Sequence, residues 1–106
     1  MFANFVDKPL QKNATTGNGE AIEVMGVHLV TAYIIGSAGI SAGAVQLEHS
    51  HDKTYTGTWA AIGAVTTVVA GAVVTVSLPP TALKAIRARI TTNIVGGTVS
   101  VHLVAN

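Results

Sequence analysis

The sequence predicts an all-β fold: a single antiparallel β-sandwich, jelly-roll-like, of about eight strands, with an extended N-terminal arm. Three observations carry this. Val, Ile and Thr together number 36 of 106 residues, and branching at Cβ suits a pleated strand better than a helix. Gly, Asn or Pro interrupts the apolar runs roughly every 8–12 residues, the rhythm of short strands joined by turns. Neither a heptad repeat nor a helical capping box is present.

Residues 1–9 read as the arm and 10–106 as the sandwich domain. Both phenylalanines of the chain, Phe2 and Phe5, lie in the arm, and Pro9 closes it. An apolar arm on a small domain is costly to leave in water, so Phe2, Phe5, Val6 and Pro9 are candidate partner-binding residues.

The first strand is expected over Leu10–Thr16, ending at the turn Gly17-Asn18-Gly19. The second covers Glu20–Met25, and Gly26 separates it from a longer third strand, Val27–Ile35. There Val27, Leu29, Thr31, Tyr33 and Ile35 share one face, while His28, Val30, Ala32 and Ile34 share the other. A strand apolar on both faces belongs in the middle of a sheet covered twice, by the core and by a neighbouring subunit. Val27, Leu29, Tyr33 and Ile35 are therefore the expected oligomer face.

Ala44–Ser50 follows, with Val45 and Leu47 inward, and then the polar loop that starts at His51-Asp52-Lys53. A short strand over Thr58–Ile62 carries Trp59, the one tryptophan, expected to fill the core and to need a partner for its indole N–H. Residues 63–70 form an Ala/Val/Thr link. Ala72–Leu78 alternates, Ala72, Val74, Val76 and Leu78 against Val73, Thr75 and Ser77. After Pro79-Pro80, Lys84–Thr92 points Ile86, Ala88 and Ile90 inward and Arg87 and Arg89 outward. The turn from Asn93 to Gly97 leads to a last strand in which Val99, Val101, Leu103 and Ala105 oppose Thr98, Ser100, His102 and Val104.

Composition narrows the function. Six basic and five acidic residues give a net charge of +1, and the basic residues are scattered, with no stripe to follow a phosphate backbone; nucleic acid is not an expected partner. Only 10% of the residues are charged, too few to cover a domain that stays alone in water. A homo-oligomer is expected. No signal peptide is legible at the N-terminus. Residues 60–78 are apolar enough to suggest a single membrane span, but their β-branched content, Gly63, Gly71 and the closing prolines favour strands, and no membrane partner is expected.

The dense polar cluster is Glu48-His49-Ser50-His51-Asp52. His49 and His51 share a strand face and could take a metal together, but a zinc site needs three or four ligands and no further pair stands beside them. No metal and no cofactor is expected. Ser50 beside histidines is not a triad, because adjacent strand residues point to opposite faces and no G-x-S-x-G elbow is present. With no cysteine and no glycine loop leading into a helix, neither a thiol nucleophile nor a phosphate cradle is available. The chain reads as a binding protein and not as an enzyme. Glu48 or Asp52 is expected to pair with Arg87 or Arg89 across strands.

Three stretches taken together resemble a known group: Gly19-Glu20-Ala21-Ile22-Glu23-Val24; Val45 to Asp52 ahead of Gly57-Thr58-Trp59; and Arg87-Ala88-Arg89-Ile90 ahead of Gly96-Gly97-Thr98-Val99-Ser100-Val101. They resemble small β-sandwich virion proteins of tailed double-stranded DNA bacteriophages. There a strand with E-x-S-x-D leads to a Trp segment, and a late R-x-R-I strand leads through a Gly turn to a V-x-V strand. Glu48, Ser50, Asp52, Trp59, Arg87 and Arg89 hold the matching positions. The resemblance implies a capsid decoration or cement protein, a dimer or trimer bound across subunits of the major capsid protein on the virion surface. A tail or fibre component is the alternative in the same class. The apolar segment 60–78 departs from the pattern.

Overall fold

The computed structural model describes residues 6–24, 29–78 and 84–105. Nine strands make up the described secondary structure: β1 (Val6–Ala14), β2 (Ile22–Glu23), β3 (Val30–Gly36), β4 (Ala42–Ser50), β5 (Ala60–Ala61), β6 (Thr66–Thr67), β7 (Val73–Ser77), β8 (Ala85–Val95) and β9 (Val99–Ala105). They form two antiparallel sheets. Sheet A has the order β1-β9-β3-β7, and sheet B the order β2-β8-β4-β5, with β6 also paired to β4. The all-β sandwich expected from β-branched content and alternation is the architecture observed.

The pairings are nested. β1 pairs with β9, β2 with β8, β3 with β7, and β4 with β5 and β6. This is the pattern of one long hairpin wrapped so that its layers fall alternately into two sheets. β3 and β4 also pair with β9 and β8, which closes each sheet around a central pair.

Alternation decides which side chains fill the space between the sheets. β9 sends Val99, Val101, Leu103 and Ala105 inward, all completely buried, and β3 adds Val30, Ala32 and Ile34. From sheet B come Val45, Leu47, Ile86, Ala88 and Ile90. Burying each of the larger side chains stabilises the fold by about 1.5–3 kcal/mol. Residues 60–78, apolar enough to suggest a membrane span, hold β5, β6 and β7; no helix among the described residues is long and apolar enough to cross a membrane.

Two expectations need correction. Strand β1 begins at Val6, so Val6 and Pro9 are not part of an arm: they stand opposite Ala105 and His102 of β9. Proline is tolerated there because β1 is an edge strand and need not donate outward at every residue. The register slips after Pro9 and again after Gln11, and Asn13 takes a positive φ of 47°. Trp59 is also misplaced. It is buried, at 4% exposure, but lies outside the core cluster, under the guanidinium of Arg87 on the outer side of sheet B.

Candidate interaction surface

The outer face of sheet A is set by the same alternation that fills the core. Thr31, Tyr33 and Ile35 of β3 stand beside Ser77, Thr75 and Val73 of β7 on one side, and beside Val104, His102 and Ser100 of β9 on the other. Tyr33, Ile35 and Val73 are 37, 40 and 54% exposed, and Leu29, just before β3, is 70% exposed. No charged residue occurs on β3 or β7. Charge enters at the far side of the sheet, where Asp7 of β1 pairs with His102 and Asn13 accepts from the Ser100 hydroxyl.

Of the expected oligomer face, the structure places Leu29, Tyr33 and Ile35 on this surface, on or beside a strand flanked by neighbours on both sides. Val27 lies outside the described residues, as do Phe2 and Phe5. Val73 and Thr75 belong to the same surface. Alternation had put them on the side away from Val74 and Val76, but pairing with β3, which sequence does not reveal, brings them beside Ile35 and Tyr33.

Sheet B carries a different kind of outer face. Glu48 stands opposite Arg87, and Gln46 opposite Arg89. The Glu48 carboxylate, almost wholly buried, accepts from Arg87 Nε at 2.9 Å through Oε1 and from Arg89 Nε at 3.0 Å through Oε2. Arg87 in turn stacks on Trp59, with its guanidinium carbon 4.4 Å from the ring centre. The Trp59 indole N–H donates to the Tyr55 carbonyl at 2.9 Å. Gln46 donates to the carbonyls of Leu47 and Ile62 and so holds the segment after β5 over the sheet. This is a satisfied structural cluster: among the described residues no buried side-chain polar atom lacks a partner.

Asp52 stands apart from the arginines. Its carboxylate accepts from the backbone N–H and the hydroxyl of Thr54, both at 2.8 Å, forming a local turn. The Thr54 backbone N–H, and then its hydroxyl, hold the carboxyl below the usual aspartate range. Glu48 alone therefore joins both arginines.

His49 and His51 line an open cleft of about 530 Å³ with Ser50, Tyr55, Thr58, Ala60 and Lys84. The His51 and Tyr55 rings meet at 5.0 Å, tilted by 57°. No carboxylate lines it, and among the described residues no group of three or more His, Cys, Asp or Glu is placed to hold a metal ion. The Ser50 hydroxyl is used in the turn, donating to the Asp52 carbonyl. Comparison with protein-family models, curated proteins and solved structures found no match for the chain.

Proposed function

We propose that the protein is a virion structural component of a tailed bacteriophage, a capsid decoration protein that assembles with its own copies and binds across neighbouring subunits of the major capsid protein. The observation that carries this reading is the part of the outer face of sheet A formed by β3 and β7, strands without a charged residue, where Tyr33, Ile35 and Val73 stand half exposed. Such a surface is suited to being covered by protein. The nested pairing supports the same reading, since we take it for a jelly-roll arrangement, an architecture used widely in capsids. Each copy that bridges two subunits adds free energy that must be overcome to separate them, and no catalytic step is involved.

The test is co-sedimentation of the purified protein with heads assembled from the major capsid protein, together with the heat resistance of the decorated heads. Saturable binding that raises the disruption temperature is expected. Replacing Ile35 by Glu should lower occupancy by placing an unpaired charge in the contact. Failure of the unaltered protein to bind, or full occupancy by the Ile35→Glu variant, would reject this surface as the docking face.

A further inference from the structure

An open sheet edge is a template for pairing with another chain, and proteins that remain single blunt their edges by shortness, charge, proline, bulges or a covering segment. Three of the four edges here are blunted. β1 carries Lys8, Pro9 and Lys12, and its register slips twice. The β8 side of sheet B is occupied by the two-residue β2 and, beyond it, by the carbonyls of Gly17 and Thr15, which accept from the N–H groups of Ile90 and Ile94. The β4 side is filled by the short strands β5 and β6, with Ile62 and Val68 donating to the Leu47 and Gly43 carbonyls between and beyond them.

The fourth edge, β7, has none of these devices among the described residues. Its sequence is Val-Val-Thr-Val-Ser, without charge, proline or register slip. Among the described strands it pairs with β3 alone. Leu78 N–H donates to the Val30 carbonyl, and Gly36 N–H to the Ala72 carbonyl. These bonds fix the parity of the ladder: even-numbered residues of β7 direct their backbone groups to β3. The N–H and C=O groups of Val73, Thr75 and Ser77 therefore point away from the sheet.

We infer that β7 pairs antiparallel with β7 of a second copy, about a two-fold axis at Thr75. Thr75 then faces Thr75 of the other copy, and Val73 faces Ser77, so the strand is complementary to itself in length, parity and charge. About six backbone hydrogen bonds form across the axis. The two four-stranded A sheets become one continuous sheet whose outer face joins both apolar patches. An isologous contact of this kind closes on itself and does not propagate into a fibre. The pairing rests on the edge geometry and is independent of the virion reading.

The chain has no cysteine, so single cysteine variants report the contact directly. Residues in a hydrogen-bonded antiparallel pair have Cα atoms about 5.5 Å apart, within disulfide reach. Thr75→Cys should cross-link to a dimer under mild oxidation, and Lys12→Cys on the blunted edge should not. In light scattering the unaltered protein should weigh twice 10.8 kDa. Thr75→Lys and Thr75→Glu should each weaken dimerisation at least about tenfold through like charges on the axis, and mixing the two should restore it. Thr75→Pro removes an N–H that β3 does not use, and should dissociate the dimer while circular dichroism stays that of strands. A monomeric parent protein, cross-linking through Lys12→Cys instead of Thr75→Cys, or a dimer indifferent to both charge variants overturns the inference. Ile35→Glu separates this contact from capsid docking: it should spare the dimer and lower head binding.

Discussion

Arg87→Ala tests whether the outer cluster of sheet B is a keystone or a decoration. Arg87 has 17% of its side chain exposed, donates to a carboxylate that is 6% exposed, and covers Trp59. Losing a charge-assisted hydrogen bond of this kind costs about 1.5–3 kcal/mol. Losing the cation over the indole ring costs about 0.5–2 kcal/mol. Glu48 keeps Arg89, which limits the damage, so the expected loss is about 3 kcal/mol. Arg89 is 44% exposed, its pair is screened by water, and Arg89→Ala should cost only about 0.5–1 kcal/mol. In a domain of this size each kcal/mol moves Tm by about 4–8 °C. Arg87→Ala should therefore melt roughly 15 °C below the parent, and Arg89→Ala roughly 5 °C below. The assay is thermal unfolding by circular dichroism at one protein concentration, because association shifts Tm by mass action. Equal effects of the two variants, or Arg87→Ala within a few degrees of the parent, would refute the reasoning that burial ranks these two ion pairs.

Trp59→Phe should keep most of the stacking under Arg87 but remove the N–H donated to the Tyr55 carbonyl, costing about 1 kcal/mol in urea unfolding, whereas Trp59→Ala should cost about 3 kcal/mol or more. Gly36→Ala places a Cβ against the Val69 backbone carbonyl and should lower stability by about 1–3 kcal/mol. Gly71→Ala meets open space and suffers only from its positive φ of 64°, so chemical denaturation should rank it the milder of the two. For Asp52, whose folded pKa lies below its unfolded value, the stabilisation is present above the unfolded pKa and lost as pH falls through the folded one. Asp52→Asn should accordingly flatten the acid limb of a stability-against-pH profile, and an NMR titration should place the Asp52 midpoint below that of an unstructured aspartate.

Strands that alternate were legible, because a period of two marks both their extent and their inward face. Ala72–Leu78 became β7 (Val73–Ser77), Lys84–Thr92 lies within one residue of the start of β8 (Ala85–Val95), and the last strand is β9 (Val99–Ala105). Val45, Leu47, Ile86, Ala88 and Ile90 point inward as their spacing requires. Two kinds of error have physical causes. Pro9 read as a terminator because proline cannot donate, yet an edge strand leaves alternate N–H groups unused, so β1 runs straight through it. Trp59 read as core because a lone large aromatic is the natural filler of a small interior. Here the interior is filled by Val, Ile, Leu and Ala, and β5 spans only Ala60–Ala61, too short for alternation to show which side of sheet B the indole takes. The pairing of β3 with β7 is non-local, and no local pattern encodes which strand neighbours which.

The nesting of the strands has a consequence for how the chain reaches this state. Only in its middle, where β4 meets β5 and β6, do strands close in sequence pair with one another; β1 must find β9, and Val6 ends opposite Ala105. Contacts spanning nearly the whole chain carry the largest loop-closure entropy and form slowly. β9 lies between β1 and β3, so neither has its shared neighbour until β9 itself has left the ribosome. Assembly is thus ordered along the growing chain: parts of sheet B can form early, but sheet A waits for β9 to enter its centre.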